Sequence, residues 1–376
     1  MKKMIIFTLS LLMFVSMPVR IMAEENTEIK VTSSILMCMN TGDIIMEDNA
    51  YEHVSPASVT KIASMLIILE AIDSGKISLD DMVSASENAM SKGGSQIWLE
   101  VGEQMSVNDL LKAVIIASAN DACTALGEYI AGSDSAFVDM MNNRVKELGL
   151  NDTHFENCTG LDDEITNHYS CAYDLAVIAG EVMKHDIVTQ YSTVWLDSLR
   201  NGETELNNTN KLVNTYNGIT GLKTGTTSKA GFCLCATASR DGLNLVSVVL
   251  GAESSDDRFS KSAQLLDYGF ANYKIEKLAI DESQLTPVKV KNGVVKEIIP
   301  SVSNTDDILV LKNASEFEYE YKISQEVKAP IKAGDELGTI IVKCDNNDIS
   351  SIKLVSDKDI EKINFRYIFI HLLKNI

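Results

Sequence analysis

Residues 54–72, VSPASVTKIASMLIILEAI, constrain the fold more than any other stretch of the chain. After Val59 the run is almost wholly apolar, so a helix formed there has no face for water and belongs inside a core. Yet Lys61 stands in its first turn, three positions after Ser58, with Pro56 marking where the helix begins. Positions i and i+3 share a helix face, so the amine reaches the hydroxyl. A serine hydroxyl is a poor nucleophile until a base takes its proton. Lysine serves as that base only if its pKa falls from about 10.4 towards 7, which corresponds to about 4 kcal/mol of disfavoured charge. Burial against an apolar helix, with a second cation nearby, supplies such a shift. A helix starting at the serine also directs unpaired N–H groups and its positive dipole end towards developing negative charge.

Ser-x-x-Lys arises readily by chance, and Ser350-Ser351-Ile352-Lys353 is a second copy. That copy lies in a strand-like stretch, where its two side chains point to opposite faces. Two further elements support the first copy. MSVNDLLKAVIIASANDACTALGEYIAG is predicted to form two helices meeting near Ser118-Ala119-Asn120. This junction offers a hydroxyl to relay a proton and an amide to hold a substrate carbonyl. Ser86-Glu87-Asn88 repeats that pattern only in a polar stretch. Lys223-Thr224-Gly225 precedes AGFCLCATASRDGLNLVSVVLG, which reads as a hairpin turned at Asp241-Gly242. Its lysine offers the second cation, its threonine a bond to a substrate carboxylate, and its glycine close backbone approach.

Around this constellation, 376 residues with 45 % hydrophobic and 23 % charged residues suit a globular protein of two or three domains. A net charge of −20 argues against nucleic acid, whose phosphates need Lys/Arg neutralisation. Residues 1–23 read as a secretory signal: Lys2 and Lys3, an apolar stretch from Met4 to Met17, then Ile21-Met22-Ala23. That apolar stretch is short for a transmembrane span, which needs about 20 residues. Residues 24–275 mix helix-period and strand-like segments, closed by a helix in SKSAQLLDYGFANY. Residues 276–355 are expected to form a small all-β domain, with a hairpin around Asn292-Gly293 and a half-buried strand in FEYEYKIS. In the tail, 356–376, Lys358, Lys362 and Arg366 recur every four residues and no acid follows Glu361. This predicts an amphipathic helix lying on a membrane surface, or packed on the domain. The seven cysteines (Cys38, Cys123, Cys158, Cys171, Cys233, Cys235 and Cys344) have neither zinc nor disulfide-framework spacing and read as buried apolar thiols.

Ser-x-x-Lys, Ser-x-Asn and Lys-Thr-Gly occur together in serine β-lactamases and penicillin-binding proteins. With PASVTK, SANDAC, HFENCTGLDDEITNHYSCAYDLA, GLKTGTTSKAGFCLCATASRDGLNLVSVVLG and APIKAGDELGTIIV, the chain resembles the D-alanyl-D-alanine carboxypeptidases, the low-molecular-mass penicillin-binding proteins, over nearly its whole length. The resemblance implies an α/β (α+β) transpeptidase-like domain, an antiparallel sheet flanked by helices, followed by the β domain and a membrane-holding tail. It implies hydrolysis of peptidoglycan stem peptides ending in D-Ala-D-Ala, acylation by β-lactams and no cofactor or metal. Ser58 would be the acylated nucleophile, Lys61 its base, and Ser118 with Asn120 the second cleft wall. Lys223, Thr224 and Gly225 would form the third wall, the N–H groups of Ser58 and Thr226 the oxyanion hole, and Arg258 a partner for the terminal carboxylate. The enzyme would be exported and peripheral on the outer membrane face.

Other chemistries fit less well. Gly-x-Ser-x-Gly and His-Glu-x-x-His are absent and the five histidines do not cluster, against a Ser-His-Asp hydrolase or a zinc peptidase. His168 and Asp174 match a family loop and read as structural. A β-lactamase of the same fold would carry a deacylating glutamate in Glu-x-x-Leu-Asn, where this chain has Glu156-Asn157. A non-catalytic peptidoglycan-binding module would have no need of three intact catalytic elements.

Overall fold

The computed structural model describes residues 29–162, 165–303, 307–345, 347–365 and 367–368. Its first unit is built on a five-stranded antiparallel sheet, β1 (Ser33–Cys38), β2 (Ile44–Asp48), β3 (Ile219–Thr227), β4 (Gly231–Arg240) and β5 (Leu243–Ala252), in the order β2-β1-β5-β4-β3. Asp241 and Gly242 join β4 to β5 with φ of 50° and 84°. Two left-handed residues in a row match the right-handed twist of the flanking strands, the expected Asp-Gly hairpin.

Period-two alternation divides the sheet between two cores. Ile35, Met37, Cys233, Cys235, Val246 and Val248 face one apolar cluster, and Leu36, Cys38, Leu234, Ala236, Leu245 and Val249 face the other. Helix α1 (Lys61–Asp73) lies in the first cluster and is buried from Lys61 to Leu69. It contacts α2 (Val107–Ile116), α3 (Asn120–Ala131), α4 (Asp134–Glu147) and α5 (Ala172–Val182), so its uniform apolarity is used on every side. Ser106 and Ser133 cap α2 and α4 by accepting the N–H groups of Asp109 and Ala136. Helix α6 (Ser255–Asn272) covers the opposite sheet face, with Ser254 as its cap.

Strand Tyr273–Lys277 follows α6 directly and straddles the expected boundary at 275/276. Beyond it, as far as Val355, the regular elements among the described residues are strands and one short 3-10 turn, around two small apolar clusters. Val288–Lys291 and Glu297–Ile298 pair antiparallel about Asn292-Gly293. All seven cysteines are free and buried.

The tail departs from expectation. Residues 356–364 are extended rather than helical, and a helical turn begins only at Phe365. Ile360 is 1 % exposed among Val288, Ile331 and Leu337, exchanging backbone bonds of 2.8 and 2.9 Å with Ile331. Val294 N–H reaches Glu361 O at 3.0 Å, and Ile363 N–H reaches Asn292 O at 2.7 Å. Those backbone groups are spent on the β domain and unavailable to a helix. Lys358 and Lys362 are both exposed, but as positions of a non-helical chain. Arg366 and residues 369–376 lie outside the described residues.

Candidate active site

Ser58 sits in a 3-10 turn, Ala57–Thr60, that leads directly into α1. Ala57 has φ of 48°, a strained conformation for a residue with a Cβ. Two glycines press on this turn. A Cβ on Gly160 would stand 1.8 Å from Ala57 O, and one on Gly225 would stand 2.7 Å from Pro56 O and 3.0 Å from Ser58 N. The close approach expected of Gly225 is therefore towards the turn that carries Ser58.

Lys61 is fully buried, and its Nζ donates to Ser58 Oγ at 3.0 Å and to Thr159 O at 2.8 Å. Burial pushes its pKa down to about 8, against the opposing pull of Cys123, Cys158 and Asp121. Lys223 is also fully buried, its Nζ donating to Thr224 O at 2.9 Å. Burial first, then the charges of Lys61 and Arg258, hold it well below the usual lysine range.

The second wall begins where α2 ends. Ser118 has φ of 63°, and its buried Oγ has no hydrogen-bond partner among the described residues. Asn120 is anchored by N–H to Ser95 O at 2.7 Å and by Nδ2 to Gly93 O at 2.6 Å, while its Oδ1 is unpaired. Buried polar atoms normally find partners, so an orphan hydroxyl and an orphan amide oxygen on one wall suit a polar ligand.

The third wall is β3, at the sheet edge. Lys223, Thr224, Gly225 and Thr226 pair with Cys235, Leu234, Cys233 and Phe232 of β4 on their inner side. Thr224 Oγ1 donates to Thr209 Oγ1 at 2.7 Å. Arg258, 8 % exposed, runs beneath the strand: its Nη1 donates to Gly225 O at 2.9 Å, Thr226 Oγ1 at 2.9 Å and Cys233 O at 3.2 Å. Its guanidinium lies 4.8 Å from the Phe259 ring centroid, and its Nε is unpaired. Among the described residues no carboxylate forms an ion pair with it. The structure thus sets Lys61 on Ser58, Gly225 against the turn that carries Ser58, and Arg258 under Gly225 and Thr226.

The decoys have ordinary explanations. Ser86 caps the short helix Glu87–Met90, and Ser86 and Asn88 both bond Glu128. Lys353 lies on the β-domain strand Asn347–Val355 and faces Glu336.

The loop beneath Lys61 was not singled out by sequence reasoning. Asn157 Oδ1 accepts from Thr159 N at 3.0 Å and Gly160 N at 2.7 Å, folding the turn that aims Thr159 O at the ammonium. Its signal was the Asn-x-Thr-Gly spacing of an Asx turn. His168 braces the same loop. Its Nδ1 accepts Glu156 N–H at 3.0 Å, which leaves Nε2–H to donate to Thr60 Oγ1 at 2.8 Å. Burial pushes its pKa down to about 4, so it is neutral. Asp121, beside Asn120, accepts the N–H groups of Ile97 and Leu99 at 3.1 Å each.

Residues 20–254 match the family model of the D-alanyl-D-alanine carboxypeptidases. The chain belongs to that family. Residues 273–362 of this carboxypeptidase match the C-terminal domain of penicillin-binding protein 5. It is 40 % identical to D-alanyl-D-alanine carboxypeptidase DacF of Bacillus subtilis over 338 residues, 89 % of this chain and 86 % of the relative. Penicillin binding protein 5 from Haemophilus influenzae superposes with a TM-score of 0.81 at 30 % identity, covering 89 % of this chain and 98 % of that one. Penicillin-Binding Protein D2 from Listeria monocytogenes, solved in an ampicillin-bound form, has a TM-score of 0.60 at 29 % identity, covering 65 % of this carboxypeptidase and 99 % of that chain.

Proposed function

We propose that this carboxypeptidase removes the terminal D-alanine from peptidoglycan stem peptides through an acyl-enzyme on Ser58. The observation that carries the reading is a fully buried lysine whose Nζ lies 3.0 Å from the serine oxygen. Neutral Lys61 takes the Ser58 proton as Oγ attacks the penultimate carbonyl. The N–H groups of Ser58 and Thr226 receive the oxyanion, a preorganised pair of the kind that contributes several kcal/mol. The proton then passes from Lys61 through Ser118 to the leaving amine, and D-alanine departs. Water next gives a proton to Lys61 as its oxygen attacks the acyl carbonyl; the bond to Ser58 Oγ breaks, and Lys61 passes that proton to Oγ, restoring the hydroxyl and the neutral amine. Asn120 holds the acyl-side amide, while Lys223, Thr224 and Arg258 draw the terminal carboxylate to the β3 wall.

β-Lactams acylate Ser58 by the same attack on their ring amide, as the ampicillin-bound relative suggests. Against a β-lactamase stands Glu156: it is exposed, and its Oε2 accepts Asn167 N–H at 3.0 Å, an engagement that does not suit a deacylating base. The substrate lies outside the cytoplasm, so residues 1–23 act as the export signal, and the chain beyond the segment seated on the β domain holds the enzyme to the outer membrane face. No helix among the described residues is long and apolar enough to cross a membrane.

Intact-protein mass spectrometry after penicillin exposure tests the reading. One adduct is expected on Ser58, absent in Ser58→Ala and Lys61→Ala; normal labelling of Lys61→Ala removes the proposed base. Rapid turnover of a chromogenic cephalosporin would instead favour the β-lactamase.

A further inference from the structure

Trp98 combines three unfavourable features at one position. It is 75 % exposed, more than any other large hydrophobic among the described residues except Phe365. Its φ is 58°, a region that bulky residues avoid. It also interrupts a buried pair, since Ile97 and Leu99 on either side are 1 % and 3 % exposed. The backbone around it is clamped from two directions. Asp121 accepts both flanking N–H groups at 3.1 Å. Arg200 donates to Ile97 O at 2.8 Å and Trp98 O at 3.5 Å, while Glu103 fixes the guanidinium with bonds of 2.7 and 3.0 Å. A strained, rigid aromatic presented to water is an outlier that points to a ligand.

Its place in the fold indicates which one. The same loop holds Asn120 through Gly93 O and Ser95 O, so Trp98 borders the Ser118–Asn120 wall. In the carboxypeptidase reading Asn120 holds the acyl-side amide, and the stem residue just before D-Ala-D-Ala carries the first side chain beyond that amide, on the side where this loop meets Asn120. The indole face attracts cations more strongly than any other side-chain ring, and exposed Glu100 lies two positions on. We propose that Trp98 is a specificity-determining residue whose indole stacks on an amine-bearing, methylene-rich side chain at the stem position preceding D-Ala-D-Ala. This rests on the carboxypeptidase reading above.

The test uses the full-length enzyme and two acetylated tripeptides, X-D-Ala-D-Ala with X lysine or glycine, measuring D-alanine release. Wild type is expected to favour the lysyl peptide in kcat/KM by about five- to tenfold. Trp98→Ala should reduce that preference to below about twofold, and Trp98→Phe should retain part of it. Unchanged penicillin labelling of both variants would show that the cleft is intact. Equal loss on both peptides, or a wild type without preference, overturns the inference while leaving the carboxypeptidase reading standing. A wild type that releases D-alanine from neither peptide overturns that reading and the inference with it.

Discussion

Replacing Lys61 by methionine, an unbranched side chain of similar volume, separates the cost of the buried amine from its use. A pKa lowered from 10.5 to about 8 by full burial corresponds to about 3 kcal/mol of disfavoured charge. Below pH 8 the amine is protonated in both folded and unfolded chains, so the full cost is present. Between pH 8 and 10.5 the unfolded chain holds more protons than the folded one, so wild-type stability rises with pH across that window. Methionine removes the charge but strands Thr159 O, a loss of about 1–2 kcal/mol. Lys61→Met should therefore be more stable than wild type by about 1–2 kcal/mol at pH 7, a rise of roughly 2–6 °C in Tm. The advantage should vanish towards pH 10, and the variant should take no penicillin. The same pKa makes the neutral fraction of Lys61 grow from about 1 % at pH 6 to about 50 % at pH 8, so wild-type acylation should quicken about fiftyfold and then level off. Thermal unfolding at several pH values, with stopped-time penicillin labelling, measures both. A methionine variant less stable than wild type at pH 7, or acylation indifferent to pH between 6 and 8, refutes the reasoning.

Three other outcomes follow from the same geometry. Gly225→Ala drives a methyl group to 2.7 Å from Pro56 O; it should cost about 1–3 kcal/mol in unfolding and about a hundredfold or more in acylation, and a variant that labels normally would show that β3 need not approach the turn. His168 is depressed from 6.5 to about 4, so the unfolded chain binds the extra proton first and wild-type stability should fall as pH drops through that window, by up to about 3 kcal/mol. His168→Phe should flatten this part of a pH–Tm series, and an unaltered slope would exclude the histidine as its source. Arg258→Leu should lower kcat/KM on a peptide with a free carboxylate by about a hundredfold and abolish discrimination against the C-terminal amide; retained discrimination would place the carboxylate partner elsewhere.

The three elements of the candidate site were legible as motifs because each is a contiguous stretch whose spacing a helix turn or a strand pleat converts into a fixed local geometry. Asp241-Gly242 was legible for a similar reason, since its turn demands two left-handed residues. The tail misled because a period of four fits two structures: positions i and i+4 share a face on a helix and on a strand alike. Only the seating of Ile360 beside Ile331 separates the two, and that partner lies in another segment. Thr159 escaped notice because it contributes a backbone carbonyl, which has no residue signature. Arg258 reads in sequence as an exposed helix start; its burial depends on a strand more than thirty positions earlier.

The sheet ends at β3, and an open strand border is something most proteins hide. Here that border runs past the turn that carries Ser58, with Gly225 close against Pro56 O. On the proposed function, a peptide annealing to it would be inspected through its main chain, by handedness and straightness, with side chains counted second. An antibiotic that offers one rigid amide beside an anionic group passes the same inspection. Mutations that reshape the border against such an impostor would also misread the cell's own peptide, which narrows the routes by which this enzyme can escape inhibition.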